Sequence, residues 1–380
     1  MMTNIRAKII LVLAAFFILP VILFAQETPE ERDAYLEGYL NTLTTEDIPV
    51  QEKAPAQPPV MKQPAPVSSP EEKTSAIEKA LRNLHIELAM EYIGYVNGKQ
   101  TFEVINEAGH RISRLSYPHS GGMWIGKGEV RLLPRLSIGG RYGNSNFKKT
   151  TCTDTDWDPS IATDRVWMES NSDSDIKVEL YDINLYLRLL DFDKDKTELG
   201  SSDMAVLDNW KADKLSVDIF GGYQKQEGRY GMINLVDTIE NYQTVGIPYN
   251  SLNSFYKIKY YGPRMGLRAG GSYGKFSSKL SFAYSWLSTD AFGWWNLRKY
   301  SFWQNGKNGY GMEAEVEVTY QLTSHFSAGL GFNYISLRQK NLTETGIYAD
   351  NPGNNYKDLD IIRNANSDIY GPSVILKYIW

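Results

Sequence analysis

Asp154 and Asp156 stand one residue apart in the run Cys152-Thr153-Asp154-Thr155-Asp156-Trp157. In an extended chain that spacing puts both carboxylates on one side. Held close, one of them keeps its proton to higher pH, and the pair can position a water for attack. A solvated acidic loop shows the same spacing, so the residues alone leave both readings open. Cys152 is the single cysteine, which excludes an internal disulfide and any multi-cysteine metal site. As a nucleophile it would need a base, and none of the four histidines (His85, His110, His119, His325) lies near it in sequence. Asp191, Asp193 and Asp195 form a D-x-D-x-D run. It lacks the glycine at the sixth position and the glutamate at the twelfth that a calcium loop needs, so it reads as a solvated turn. No metal and no cofactor are expected.

The elements that would carry these residues are strands. The chain closes on Val374-Ile375-Leu376-Lys377-Tyr378-Ile379-Trp380, with Val374, Leu376, Tyr378 and Trp380 on one face. Similar alternation recurs from Leu84 onward. Trp124 and Val130 oppose Lys127 and Glu129; Leu185 and Leu187 oppose Asn184 and Arg188; Leu280, Phe282 and Trp286 oppose Ser281 and Ser285. Met312, Ala314, Val316 and Val318 oppose Glu313, Glu315 and Glu317. Three glutamates on one face cannot enter a dry sandwich core, because burying unpaired charge costs too much. Apolar and aromatic residues outside with polar ones inside, strand after strand, is the membrane-barrel pattern. The fold class expected is therefore all-β: a transmembrane antiparallel up-and-down β-barrel of about ten strands. Short turns at 133–135, 273–275 and 322–325 are assigned to the periplasmic side. Long loops are expected outside, near 148–175, 231–250, 291–308 and 344–364. The connection at 191–213 is long for a periplasmic turn. Ten strands leave no room for a wide pore.

Composition agrees. The 380 residues carry 13% aromatics, with 25 Tyr and 9 Trp, which suits interfacial aromatic girdles. A net charge of -5 gives no case for nucleic-acid binding. Residues 1–25 read as a cleaved secretory signal, with basic Arg6 and Lys8, an apolar run at 9–24 and the small Ala25. Residues 26–83 are punctuated by Pro49, Pro55, Pro58, Pro59, Pro64, Pro66 and Pro70, and read as a disordered periplasmic tether. Residues 84–380 are the barrel, and the expected location is the outer membrane of a Gram-negative-type bacterium.

Gly109-His110-Arg111-Ile112-Ser113-Arg114-Leu115, Leu132-Leu133-Pro134-Arg135-Leu136-Ser137-Ile138-Gly139, Asp154-Thr155-Asp156-Trp157, Gln226-Glu227-Gly228-Arg229-Tyr230 and Leu376-Lys377-Tyr378 follow one another along the barrel. In this order they resemble the omptins, a family of ten-stranded outer-membrane proteases with an active site at the extracellular rim. The resemblance implies that Asp154 and Asp156 form half of a catalytic site. The other half in the family is an Asp-x-His pair. Asp290 matches the aspartate, and Phe292 stands where the histidine should be. Without that base, water attack on an amide loses about 10²–10⁴-fold.

The resemblance also implies a pocket that holds a basic substrate side chain with two acidic residues. Those positions match Phe102, with Glu103 its neighbour if the register slips by one, and Ser288. Trp294 and Trp295 add aromatic surface that favours binding over hydrolysis. For the family's lipopolysaccharide site on the outer wall, Glu227 and Arg229 match, Lys259 replaces an arginine, and Lys307 lies near the remaining basic position. The reading is an omptin-like barrel with an incomplete protease site, acting as a surface binding or structural protein. Its partners would be outer-membrane lipid, including lipopolysaccharide, and a peptide or protein at the rim. The competing reading is an active endopeptidase that uses Asp154, Asp156 and Asp290 with a different base.

Overall fold

The computed structural model describes residues 85–147, 150–158, 166–193, 212–240, 243–244, 249–295, 299–348, 351–358 and 361–380. The segments read above as a signal (1–25) and a tether (26–83), and Asp195, lie outside the described residues.

Fifteen strand segments follow one another: β1 His85–Asn106, β2 Arg111–Pro118, β3 Gly121–Leu133, β4 Leu136–Phe147, β5 Thr151–Trp157, β6 Val166–Asp193, β7 Lys214–Glu240, β8 Gln243–Thr244, β9 Tyr249–Tyr273, β10 Phe276–Trp295, β11 Tyr300–Gln321, β12 Phe326–Gln339, β13 Thr343–Tyr348, β14 Asn351–Asp358 and β15 Ile361–Ile379. In space they make ten antiparallel crossings. Six are single strands: β1, β6, β7, β9, β10 and β11. Four are broken in two: β2 with β3, β4 with β5, β12 with β13, and β14 with β15; the two-residue β8 only pairs with the end of β7. The ring closes where β1 pairs with β15, from Glu87 opposite Ile379 to Asn106 opposite Ile361. Trp380 and Ile86 exchange backbone hydrogen bonds of 2.9 and 3.1 Å at the seam. Closure satisfies the strand edges at membrane depth, as hydrocarbon requires. The turn between β9 and β10 is tight because Gly274 takes φ 55°, where a side chain is strained.

Around the middle of the barrel the expected alternation holds. Leu185, Leu267, Leu280, Phe282, Val316, Leu330, Phe332 and Leu376 are exposed on the outside. Aromatic pairs bound this band on both sides. Phe276 with Tyr320 and Phe326 with Tyr378 sit at the short-turn end, with ring centroids 5.0 and 4.9 Å apart. Tyr92 with Trp124, Tyr142 with Tyr181 and Tyr284 with Trp286 sit at the other, at 4.4, 4.9 and 5.2 Å. From Phe276 to Trp286 is about 33 Å along a tilted strand, or about 25 Å along the membrane normal, the height of an outer-membrane apolar belt.

Inside this belt the charges meet each other. Lys127 lies 2.7 Å from Glu91 and 2.9 Å from Glu317, and also pairs with Glu315. Arg264 bridges Asp182 and Glu313 at 2.7 and 3.0 Å, and Arg141 contacts the same two carboxylates. Arg268 joins Glu129 to Asp218. The three glutamates of β11 therefore point inward, and each has a cationic partner. This paired layer is what makes a charged lumen tolerable.

One expectation about the strands is corrected. The segments assigned to long outer loops are largely strand. β5 and the start of β6 occupy the first, the end of β7 and the start of β9 the second, β10 and β11 run through the third, and β13 with β14 and the start of β15 fill the fourth. Asp191 and Asp193 likewise lie in β6, paired with Arg188 and Lys214 at 3.2 Å each. The barrel wall continues well past the upper aromatic pairs, and there its polarity reverses. On β9, Met265 and Leu267 face out and Arg264 and Arg268 face in at membrane depth. Higher up, Lys257 and Lys259 face out while Tyr256, Ile258 and Tyr260 are buried inside, at 3%, 0% and 1% exposure. Side-chain direction keeps its period of two while the outer solvent changes from lipid to water. A run with charges where lipid-facing residues were expected reads as a loop.

Candidate functional site

β5 pairs with β2 and β6 above the upper girdle, Leu115 opposite Asp154 and Ser113 opposite Asp156. Leu115 and Ser113 face inward, so their partners do too. Asp156 is buried, and Asp154 stands beside Cys152 and the Tyr117 hydroxyl. The two aspartates lie on the same face of β5. Cys152 is fully buried, and burial pushes its thiol up to about 12. It is a packed small hydrophobe here and not a nucleophile.

The other half of the expected site is not brought to them. Along β10, Leu287, Thr289 and Ala291 are buried at 2%, 0% and 7%, whereas Asp290 is exposed. Thr289 bonds the Gln339 side chain inside at 3.0 Å. Asp290 accepts a hydrogen bond from the hydroxyl of the half-buried Tyr261 at 2.9 Å. Asp290 and Phe292 therefore lie on the outer wall, and the ring of Phe292 lies 5.4 Å from that of Trp303. Ser288 falls on the same outer face by alternation. Matching by similarity is one residue out of phase with the inner face. The inward positions, Thr289, Ala291 and Gly293, offer no acid and no base.

Glu103 is also corrected. Its neighbour Phe102 is the inward residue, at 2% exposure. Glu103 lies on the outside, paired with Arg114 at 2.5 Å and Arg111 at 3.6 Å, whose guanidinium groups sit over the Trp157 ring. A saturated carboxylate on the outer wall cannot line a cleft.

Among the described residues the interior at this height is packed. Phe102, Tyr256 and Phe302 form a triangle of rings with centroids 5.5 to 6.3 Å apart, continued by Tyr300 and Trp295. Phe302 lies against Gly293, where a Cβ would come within 2.0 Å of its ring, so that glycine is required for close approach. Tyr117, Tyr230 and Tyr260 fill the next level, with Gln100 donating to the Tyr260 hydroxyl at 3.0 Å. Glu344 is buried there. It is saturated by Tyr300 at 2.9 Å, Gln304 at 2.6 Å and Arg363 at 2.8 Å. Sequence reading missed these residues. The alternation Tyr256-Ile258-Tyr260 was the available signal, masked by Lys257 and Lys259 between them.

His110 is in the exposed turn between β1 and β2, and His325 at the short-turn end bonds the Ile379 carbonyl at 3.0 Å. His119, at the break between β2 and β3, is 1% exposed. Its Nδ1–H donates to the Asp368 carbonyl at 2.9 Å, and the Tyr230 hydroxyl lies 3.3 Å from Nε2. Burial pushes its imidazole down to about 4, against the opposing pull of the Asp368 carbonyl and charge.

A second arrangement is outside. Glu227, Arg229 and Lys259, together with Lys177, Glu179, Lys225 and Lys257, lie on adjacent outward positions of β6, β7 and β9, above the upper girdle. Glu227 contacts Arg229 at 3.0 Å, Lys257 at 3.1 Å and Lys225 at 3.5 Å. Its burial opposes ionisation, but Lys257 and Lys225 hold its carboxyl below the usual range. Burial lowers the Lys259 ammonium, and Asp290 partly offsets this. Clustered ammonium and guanidinium groups on the outer wall above the girdle can take phosphate oxygens.

Among solved structures, the crystal structure of the outer-membrane protease OmpT from Escherichia coli resembles the chain with a TM-score of 0.65 at 17% identity, covering 78% of this chain and 97% of that one. The chain is an outer-membrane β-barrel. OprG from Pseudomonas aeruginosa matches with a TM-score of 0.30 at 10% identity, covering 78% of this chain and 95% of that one. The translocator domain of NalP from Neisseria meningitidis gives 0.29 at 9%, covering 81% and 94%. A family model described as Protochlamydia outer membrane protein matches residues 209–356 of this outer-membrane barrel. No curated protein matches it in sequence.

Proposed function

We propose that this outer-membrane barrel is an omptin-like surface protein that binds lipid phosphate, as in lipopolysaccharide, on its outer wall and does not hydrolyse peptides. The observation that carries the reading is the pair of opposite orientations: Asp154 inward near Tyr117 with Asp156 on the same face, Asp290 and Phe292 outward. Water attack on an amide needs a group near neutral pKa beside the water, and Thr289 and Ala291 are not such groups. On the outer wall five cations (Lys177, Lys225, Arg229, Lys257 and Lys259) stand with four carboxylates (Asp175, Glu179, Glu227 and Asp290), and the guanidinium and ammonium groups are suited to an anionic headgroup.

The test has two arms. Lipopolysaccharide that copurifies with the wild-type barrel should fall in the Arg229→Ala, Lys259→Ala double variant. The refolded wild type, with lipopolysaccharide present, should leave a library of peptides with paired basic residues uncut. Unchanged lipid content removes the binding site. Robust cleavage, abolished by Asp154→Ala or Asp156→Ala, establishes the alternative, a working endopeptidase with another base; the shared inward direction of those two aspartates is the feature that favours it.

A further inference from the structure

The cations of the outer wall do not end at bare backbone. Register places Lys177, Arg229, Lys257, Phe292, Trp303 and Thr345 in one cross-strand row over β6, β7, β9, β10, β11 and β13. All fall on outward positions: Tyr230, Tyr256, Ala291 and Phe302, next to them in sequence, are buried inside. The row below runs Glu179, Glu227, Lys259, Asp290, Asn305 and Thr343. The surface is thus cationic at one end and aromatic at the other, with carboxylate, amide and hydroxyl groups beneath.

Height decides what it can meet. Phe292 is six residues above Trp286, about 20 Å along the strand and about 15 Å along the membrane normal. The polar layer of an ordinary bilayer is only about 5–8 Å deep on each side. The two rings therefore stand above the depth at which interfacial aromatics anchor a barrel, and their place is not that of a girdle. A lipid reaches them only if its headgroup is tall. Aromatic faces stack on the C–H faces of sugar rings, neighbouring cations hold phosphate or carboxylate substituents, and Asp290, Asn305 and Thr345 offer partners for hydroxyls. From Arg229 to Trp303 is three strand spacings, about 14 Å, enough for a short oligosaccharide.

We propose that Phe292 and Trp303 form a saccharide-binding ledge that extends the cationic patch, and that its occupant is the phosphorylated oligosaccharide headgroup of a glycolipid in the surrounding membrane. The inference deepens the lipid-binding reading and rests on it for the position of the lipid. The ledge gives the outward orientation of Phe292 a use that the inner wall does not.

The experiment measures binding of three probes to the full chain in detergent micelles: lipopolysaccharide with its core oligosaccharide, lipid A without the core, and the core oligosaccharide released from lipid A. Trp303→Ala and Phe292→Ala should each weaken binding of the first and third probes about tenfold, and of lipid A by about twofold or less. The Arg229→Ala, Lys259→Ala variant should weaken all three, because these cations hold phosphate of the core as well as of lipid A. Both side chains are on the outer surface, and a retained shift between unheated and boiled samples on a denaturing gel shows that each variant is folded. Trp303→Phe, which keeps a ring, should recover most of the loss. Equal losses for lipopolysaccharide and lipid A, no loss for either, or no binding of the released oligosaccharide to wild type would overturn the ledge. Binding of the oligosaccharide without lipid A would uphold the ledge and remove the lipid-phosphate reading; the reverse result removes only the ledge.

Discussion

Acid should weaken this barrel through His119. The imidazole is 1% exposed, stacked 5.1 Å from Phe147 and 5.9 Å from Tyr230, with Asp368 the facing charge and its carbonyl the acceptor for Nδ1–H. Its neutral form is built in. A fall from 6.5 to about 4 means that, between those values, the unfolded chain binds the proton and the folded barrel does not. The stability that neutral His119 contributes is whole above pH 6.5 and is lost progressively as pH falls toward 4. At 1.36 kcal/mol per unit the full loss is about 3 kcal/mol, and about 2 kcal/mol is gone by pH 5. The assay is urea unfolding in detergent micelles, followed by tryptophan fluorescence between pH 7.5 and 4.5. A His119→Gln variant serves as reference, because carboxylates titrate in both proteins. Wild type should lose about 2 kcal/mol more than the variant between pH 7.5 and 5. Nitrogen-15 labelling of the histidines checks the same claim without a mutation: one imidazole should stay neutral at pH 5. Parallel loss in both proteins, or an imidazole protonated at pH 6, would refute the assignment of a buried neutral ring.

Two further outcomes follow from orientation and burial. Phe292→His should not create peptidase activity against a library of paired-basic peptides, since the new imidazole would stand on the outer wall beside Trp303; cleavage by that variant would mean that this face turns toward Asp154. Cys152 should resist thiol reagents at pH 8 in the folded barrel and react once it is unfolded, because it is fully buried and its thiol is pushed up to about 12. Fast labelling of the native protein would show that the rim opens.

Much of the architecture was written in single strands. Glu313, Glu315 and Glu317 alternating with Ala314, Val316 and Val318 demand lipid on one side and a partnered interior on the other, and the same demand on each crossing gives a ring of about ten. The seam between β1 and β15 follows, because a terminal strand with an apolar outer face needs a closing partner. Local pattern could not carry the wall above the membrane. There Lys257 and Lys259 face water, and the buried Tyr256, Ile258 and Tyr260 reveal themselves only against residues from β1, β2, β7 and β11. The aspartates divide the same way. That Asp154 and Asp156 share a face follows from their spacing. That Asp290 faces away from them does not, because a shift of one residue exchanges inner and outer faces, and only the hydrogen-bonded register of β9, β10 and β11 fixes which is which.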